Sequence, residues 1–376
     1  GLALKQRGDL EGAAASYNRA LQLDPNYAEA HNNLGVVRRA QGDTASAIEC
    51  YRRAIAAAPR HAEARNNLAN ALQAVGRFDE ALTHYDQAIQ IRPQYTDARC
   101  NRSLLVLLMG DFAKAWGDYE CRSQRKESPP PRFPIEMWNG EPLNGKSILL
   151  HCEQGLGDTL QFVRYAQLIR DRGGEITLEC PPALRAVLGT CPWIDRLIER
   201  GQPLPQFHTH APLLSLPRIL GTTVETIPAP CPYLHVAPAL VEQWRNRLAA
   251  IPGLKGARLK VGLAWQGNPS NRYDAARSFR LADLAPLAGV PGVRFVSLQH
   301  GFGAEQLRQP HPLGDVVEFD DDFDRAAGAF MDTAAVMTQL DLVITADSAL
   351  AHVAGALNVP AWVALAGNAV VAVSFL

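Results

Sequence analysis

Small and aromatic residues recur every 34 residues along the first third of the chain. Proline closes successive units at Pro25, Pro59 and Pro93. A repeat of this length, with small residues where helices cross and proline where a helix ends, predicts helix pairs that stack side by side. We therefore expect an α-solenoid over residues 1–121. The repeated positions are Gly8, Gly42, Gly76 and Gly110, Ala13, Ala47, Ala81 and Ala115, and Tyr17, Tyr51, Tyr85 and Tyr119.

One asparagine occupies the same position in three successive units, at Asn33, Asn67 and Asn101. In a stacked solenoid these residues form a column of amides along the concave groove, here called the amide column. Amides can hold an extended peptide backbone, because they both donate and accept hydrogen bonds. Ordinary polar groove residues would give the same pattern, so both interpretations stay open.

The composition changes abruptly after the repeats. Residues 122–132 are first charged and then proline-rich, which disfavours both helix and strand. We interpret residues 122–145 as a linker.

Short apolar runs alternate with helical patterns beyond this linker, which predicts parallel sheets with helical crossovers. Strands at 147–152 and 175–180 flank a helix at 159–172, and a further strand is expected at 211–217. These elements predict a first Rossmann-like domain over residues 146–236. A second such domain, over residues 237–376, has predicted strands at 260–265, 294–298, 316–319, 341–346 and 361–365 and a buried helix at 348–357.

A glycine turn follows the first strand of the first Rossmann-like domain. Gly155 and Gly157 let backbone approach a ligand, but Leu160 occupies the place of the third glycine of a dinucleotide fingerprint. A carboxylate at Asp158 would also repel a pyrophosphate. We therefore do not expect NAD, or any other cofactor. Asp158 suits either proton transfer or simple capping of the helix.

Polar and basic residues follow the strands of the second domain. Arg277 and Ser278 lie on a basic loop suited to phosphate, although solvated loops have the same composition. Gln299 follows the next strand, and Asp347, Ser348 and His352 open the buried helix. A helix N-terminus at the carboxyl edge of a parallel sheet favours anions, so these positions predict a diphosphate site.

Two further clusters have the residue types of metal sites. The run from Asp320 to Asp324 resembles an acidic metal motif, but acidic residues also stabilise the start of a helix. His208 and His210 alternate along an expected strand without a third ligand nearby. We predict no metal site.

Composition excludes several classes of partner. The 376 residues include 37 basic and 38 acidic side chains, a net charge of -1 that recommends neither nucleic acid nor an anionic membrane. No apolar run approaches the roughly 20 residues of a membrane span. The seven cysteines are never spaced as pairs that bind zinc, which speaks against a zinc site or a disulfide framework and favours the cytoplasm.

The repeat positions resemble the tetratricopeptide repeat, and O-GlcNAc transferases join similar repeats, with an asparagine ladder, to a glycosyltransferase. The glycine turn, Trp265, Arg277, and the segment from Asp347 to His352 together resemble glycosyltransferase family 9, which includes heptosyltransferases. This resemblance implies the glycosyltransferase B architecture, in which two Rossmann-like domains face a cleft. It also implies that Asp158 is the base, that Arg277 holds phosphate, and that Asp347, Ser348 and His352 bind the nucleotide sugar. We expect Ser278, Gln299 and Ala349 to belong to the same donor site.

The chain departs from that family in two places. Ala349 stands where the family often has glycine, which puts a methyl group near the phosphates. The apolar ending AVVAVSFL replaces the expected closing helices, so we expect a truncated second domain.

The sequence thus predicts a glycosyltransferase that moves a sugar from a nucleotide-diphosphate sugar to a hydroxyl without a metal. The repeats would recruit a protein or peptide, and the acceptor is either protein or glycan. The alternative is a protein-binding scaffold whose glycosyltransferase-like domain is inactive.

Overall fold

A computed structural model describes residues 1–124, 133–271 and 274–365, apart from the side chains of Ala275 and Ala276. The chain divides into two compact units, whose described parts are residues 1–124 and 133–365. Three parts of the chain lie outside the described residues. They are residues 125–132 of the predicted linker, residues 272–273 of the basic loop, and the predicted ending at residues 366–376.

Antiparallel helix pairs build the first unit, which confirms the predicted solenoid. Aspartates recur at helix starts here: Asp9, Asp43 and Asp111 each accept the backbone N–H three residues ahead, which satisfies a donor that the helix cannot use. The helices are α1 (Leu2–Gln6), α2 (Leu10–Leu23), α3 (Ala28–Ala40), α4 (Thr44–Ala57), α5 (Ala62–Ala74), α6 (Phe78–Ile91), α7 (Thr96–Leu108) and α8 (Phe112–Tyr119), followed by a 3₁₀ turn at Glu120–Gln124.

The repeated small and aromatic residues fill the space between these helices. Tyr51 and Tyr85 are buried at 1% and 0% exposure, beside fully buried alanines. A Cβ atom on Gly35 would lie 2.6 Å from Cε1 of Tyr51, so only glycine leaves room for that ring. The 34-residue period is therefore a packing requirement that each repeat meets again.

The cysteine expectation is wrong in one respect. Cys100 on α7 and Cys121 in the 3₁₀ turn form a disulfide, with Cα atoms 5.7 Å apart. Their 21-residue separation spans a helix hairpin that brings the chain back on itself, and no local spacing motif reports such a pairing.

The second unit contains two parallel sheets, as the alternating pattern predicts. The first has the strand order β3-β2-β1-β4 and the second has the order β7-β6-β5-β8-β9. The strands are β1 (Ser147–His151), β2 (Glu175–Cys180), β3 (Arg196–Glu199), β4 (Thr209–Pro212), β5 (Leu259–Ala264), β6 (Val293–Ser297), β7 (Val316–Val317), β8 (Leu342–Ala346) and β9 (Ala361–Ala364).

The helices of this unit cross between the strands. Because every pairing is parallel, the carboxyl ends of the strands lie along one edge of each sheet. The helices are α9 (Leu156–Phe162), α10 (Ala166–Arg170), α11 (Arg185–Leu188), α12 (Leu216–Ile219), α13 (Pro238–Ala249), α14 (Asp274–Arg277), α15 (Met331–Met337) and α16 (Ala349–Ala356).

Three details of the predicted elements are corrected. The expected strand at 211–217 ends at Pro212, and the chain then turns into the helical segment Leu213–Ser215. The expected helix at 159–172 starts earlier, at Leu156, and tightens to 3₁₀ geometry at Val163–Tyr165. Strand β3 was not predicted at all, since its few residues carry little periodicity.

The described end of the predicted linker belongs to the second unit. Trp138 is buried at 4% exposure, and its backbone N–H donates to the carbonyl oxygen of His210 at 2.8 Å. This contact adds the segment around Met137 to the edge of the first sheet at β4. The division of residues 146–376 into two Rossmann-like domains stays a prediction.

The repeated glycines give the first test. Gly76 has φ +76°, and a Cβ atom there would meet nothing within 4 Å. Gly76→Ala should therefore lower the free energy of unfolding by about 1 kcal/mol through backbone strain alone. Gly76→Asn should cost less, because asparagine tolerates the left-handed region. Thermal unfolding of both variants measures this difference, and equal transition temperatures for Gly76→Ala and the wild type would contradict it.

Candidate functional site

The glycine turn lies at the carboxyl end of β1 and leads directly into α9. Asp158 sits in the first turn of this helix, and its Oδ2 accepts the backbone N–H of Gly155 at 2.9 Å. The predicted capping role is therefore present. Burial raises the pKa of Asp158 above its usual range, while the Gly155 N–H and the charge of Arg277 oppose this shift and Asp347 adds to it.

A second group of predicted residues lies at the carboxyl end of β8. Asp347 is buried at 5% exposure, and Ser348 immediately precedes α16. The guanidinium Nη1 of Arg277, at the end of α14, lies 3.8 Å from Oδ2 of Asp347. The Arg277 side chain is about a third exposed, so the ion pair is loose and partly open to solvent.

Helices α9 and α16 bring these two groups together, although they follow strands of different sheets. A Cβ atom on Gly157 would lie 2.9 Å from Cδ2 of His352 and 3.7 Å from Cα of Ala349. Glycine at this position therefore allows the close approach. Asp158, Arg277, Asp347 and His352 form one group, here called the sheet-edge cluster.

His352 is held neutral in this cluster. Its side chain is 9% exposed, and none of the described residues forms a hydrogen bond with its ring. Burial lowers the pKa of His352 to about 4, and the nearby charges of Arg164 and Arg277 act in the same direction. Near pH 7 the ring is therefore an uncharged group with a free donor and a free acceptor.

Arg164 is a contributor that the sequence does not single out. This arginine is 6% exposed, its Nη2 donates to the hydroxyl of Tyr233 at 3.1 Å, and its guanidinium lies over that ring. Tyr233 in turn donates to the carbonyl oxygen of Leu160 at 3.0 Å. The sequence feature that could have identified Arg164 is its position as a cation within the apolar run LQFVRYAQLI. Its buried charge favours an anion in the neighbouring cluster.

Ser278 and Gln299 hold the backbone around the cluster. The Ser278 hydroxyl accepts the N–H of Gly267 at 3.1 Å. Oε1 of Gln299 accepts two backbone N–H groups, and its Nε2 donates to two carbonyl oxygens. The amide of Gln299 is thus fully occupied in joining the turns after β5 and β6. Donor binding by either residue stays a prediction.

The acidic run and the histidine pair have structural partners. Asp324 accepts from the backbone and hydroxyl of Thr333, while Asp332 accepts from the Asp324 N–H and the Trp244 indole. His208 accepts the Ser147 N–H at 3.1 Å. Within residues 1–124, 133–271 and 274–365, no group of three or more His, Cys, Asp or Glu side chains is arranged to hold a metal.

The amide column of the first unit also has internal partners. Nδ2 of Asn67 donates to Oδ1 of Asn32 at 2.9 Å, and Nδ2 of Asn101 donates to Oδ1 of Asn66 at 3.2 Å. The column residues are half-buried, whereas Asn32 and Asn66 are buried. These bonds join successive repeats, and they leave the side-chain oxygens of the column for other donors.

Comparison with protein families accounts for the first unit. A model described as TPR repeat matches residues 1–38, and one described as tetratricopeptide repeat matches residues 34–96. The first unit is a tetratricopeptide-repeat array.

No described helix of either unit has the length and apolar character needed to cross a membrane.

Relatives are found among curated proteins and solved structures. The FlbA protein of Caulobacter vibrioides is 28% identical over 277 residues, which is 66% of this chain and 44% of FlbA. The match is longer than the repeat array and so extends into the second unit, and the chain spans less than half the length of this curated relative. PilF of Pseudomonas aeruginosa is 31% identical over 34% of this chain and 59% of that chain, with a TM-score of 0.32. MamA is 28% identical over 33% and 73%, with a TM-score of 0.31.

The neutral state of His352 predicts a pH dependence of stability. Because its folded pKa lies near 4, below the ordinary value of about 6.5, its contribution is complete above about pH 6.5. That contribution is lost as the pH falls toward 4, since unfolding then takes up a proton. Thermal unfolding between pH 7 and pH 4.5 should lose less stability in His352→Gln than in the wild type. The exposed His235, replaced by Gln, is the control, and parallel profiles for all three proteins would contradict the prediction.

Proposed function

We propose that the second unit is a glycosyltransferase that uses a nucleotide-diphosphate sugar, with the two-domain glycosyltransferase B architecture of family 9. One observation carries this proposal: α9 and α16 bring a buried carboxylate, a neutral histidine and a partly exposed arginine into one cluster. Asp158, His352 and Arg277 belong to segments that resemble the catalytic and donor segments of that family. The parallel sheets of the unit agree with this architecture.

The reaction would be a direct displacement at the anomeric carbon. Asp158 takes the proton of the acceptor hydroxyl, the acceptor oxygen bonds to the anomeric carbon, and the bond to the diphosphate breaks with its electron pair on phosphate. A raised pKa makes the Asp158 carboxylate a stronger base. Arg277 and the N–H groups that open α16 oppose the charge of the departing diphosphate.

Nucleotide binding tests the donor site. ADP, UDP and GDP are titrated in turn into the full chain by calorimetry, and we expect one of them to bind saturably. Arg277→Ala should weaken that binding by about tenfold or more, because a charged hydrogen bond to phosphate is lost. Ser348→Ala should weaken it less. Asp158→Asn should retain donor binding and abolish sugar transfer.

The matched control is Arg245→Ala. Arg245 is exposed on α13, and its guanidinium forms an ion pair with Glu242. Equal losses in the two arginine variants would indicate a nonspecific effect of charge. Absence of binding by all three nucleotides would contradict the proposal.

We further propose that the repeat array recruits a protein or peptide through the amide column. Asn67 and Asn101 have their Nδ2 groups committed between repeats, and the oxygens of these half-buried amides are suited to accept the N–H groups of an extended backbone. An extended chain has polar groups at regular spacing, which a branched glycan lacks. A protein acceptor would therefore use this groove, whereas a glycan acceptor would enter beside Asp158.

A triple variant tests the groove. Replacing Asn33, Asn67 and Asn101 with Ala should raise the KM for a verified protein acceptor and leave nucleotide binding unchanged, because binding energy remote from the reacting bond is lost. Replacing Asn32 and Asn66 with Ala breaks the same two inter-repeat bonds from the buried side. This control should lose stability but keep the acceptor KM. An unchanged KM in the triple variant would contradict acceptor binding by the amide column and would favour a role of the repeats in assembly.

The alternative is a protein-binding scaffold with an inactive second unit. Ala349 favours it, because this residue adds a methyl group where family 9 often has glycine. Its Cα would lie 3.7 Å from a Cβ atom on Gly157. Partners retained by the array together with no sugar transfer by the full chain would support this reading. Turnover of a nucleotide sugar would reject it.

A further inference from the structure

Asp274 is a buried residue whose carboxylate has one oxygen without a hydrogen bond. Its residue is 5% exposed, its Oδ1 lacks any hydrogen bond, and none of the described side chains forms an ion pair with it. A buried charge in this state is costly, and proteins retain such a group where a ligand or another charge completes it. The sequence does not single out Asp274, since it is one acidic residue in a basic loop.

The backbone, rather than the carboxylate itself, fixes the position of Asp274. The Ser278 N–H donates to the carbonyl oxygen of Asp274 at 2.8 Å, and the Ser278 hydroxyl accepts the Gly267 N–H. A Cβ atom on Gly267 would lie 2.4 Å from Oδ1 of Asp274, so glycine is required there. The chain thus accommodates an unpaired carboxylate at this place without using it to hold the loop.

Asp274 lines a cavity of about 580 Å³ at the carboxyl edge of the second sheet. This size lies within the roughly 300–1,000 Å³ of small-molecule sites. The other polar groups of the cavity are largely satisfied. Asp283 accepts three hydrogen bonds from Arg280, and Gln306 bonds to both Gln266 and the Leu281 N–H. Asp274, in contrast, has a carboxylate oxygen, Oδ1, without a hydrogen bond.

The order of the strands indicates which end of a bound nucleotide sugar would lie in this cavity. The sheet order places β5 between β6 and β8. Asp158 and α9 pack against α16, on the β8 side, so a sugar aimed at the base extends that way. The cavity lies between the turns after β5 and β6, on the opposite side. The nucleoside half of a donor whose diphosphate contacts Arg277 would then extend toward the cavity.

Spacing favours ribose as the group that reaches Asp274. Asp274 and Arg277 are three residues apart on α14, which puts their Cβ atoms about 5–6 Å from each other. Ribose is the first group after the phosphates, and its vicinal hydroxyls donate well to a carboxylate. Gln299 cannot take this role, because both ends of its amide already bond to backbone.

We propose that the carboxylate of Asp274 accepts hydrogen bonds from the ribose hydroxyls of the nucleotide sugar, whose nucleoside occupies this cavity. The inference rests on the proposed function and assigns one of its binding determinants.

Calorimetry with paired ligands tests this assignment on the full chain. The tightest of ADP, UDP and GDP is compared with its 2′,3′-dideoxy counterpart. The wild type should bind the dideoxy nucleotide about tenfold or more weakly, as expected for lost hydrogen bonds to a charged group. Asp274→Asn should bind the ribonucleotide at the dideoxy level and no longer distinguish the two. Asp283→Asn, in the same cavity but with a partnered carboxylate, should discriminate as the wild type does.

Thermal unfolding without ligand gives a second measurement. Asp274→Asn removes an unpaired buried charge and should raise the transition temperature, whereas a structural role would lower it. A wild type that does not discriminate between the ligands, or an Asp274→Asn variant that still does, overturns the inference and leaves the proposed function standing. Failure of the wild type to bind any of the three nucleotides overturns both.

Discussion

The close contact of α9 with α16 at Gly157 is the constraint on which the second unit depends. Any side chain at this position would meet the His352 ring, with its Cβ 2.9 Å from Cδ2. Because the two helices follow strands of different sheets, this contact brings the turn after β1, with Asp158, beside the start of α16, with His352. The burial that raises the pKa of Asp158 and lowers that of His352 has the same origin.

Two arginines, Arg164 and Arg277, and two carboxylates, Asp158 and Asp347, surround this contact. Arg164 is buried with Tyr233 rather than a carboxylate as its partner, and Arg277 contacts Asp347 only loosely. On the other side of β5, Oδ1 of Asp274 is a hydrogen-bond acceptor without a donor. A nucleotide diphosphate has negative charge that could pair with the arginines and ribose hydroxyls that could donate to Asp274. This complementarity links the proposed function with the proposed role of Asp274.

Local geometry explains which features could be predicted from the sequence. The glycines at positive φ, the prolines after the helices and the fully buried alanines repeat because each helix pair needs them again, so the 34-residue period predicts the solenoid. The glycine turn and the Asp347–Ser348 start of α16 are also local signals. In contrast, the Cys100–Cys121 bond, the short strand β3 and the unpartnered state of Asp274 depend on residues distant in sequence. The inter-repeat bonds of Asn67 and Asn101 likewise become visible only when the repeats stack.

Hydrogen–deuterium exchange of the full chain tests the donor site directly, because it reports on backbone amides at the site itself. With saturating ADP, UDP or GDP, peptides covering 155–162 and 347–356 should exchange more slowly, while exchange in the repeat array stays unchanged. Unchanged exchange in both peptides with all three nucleotides would contradict the assignment of a donor site to the contact between α9 and α16.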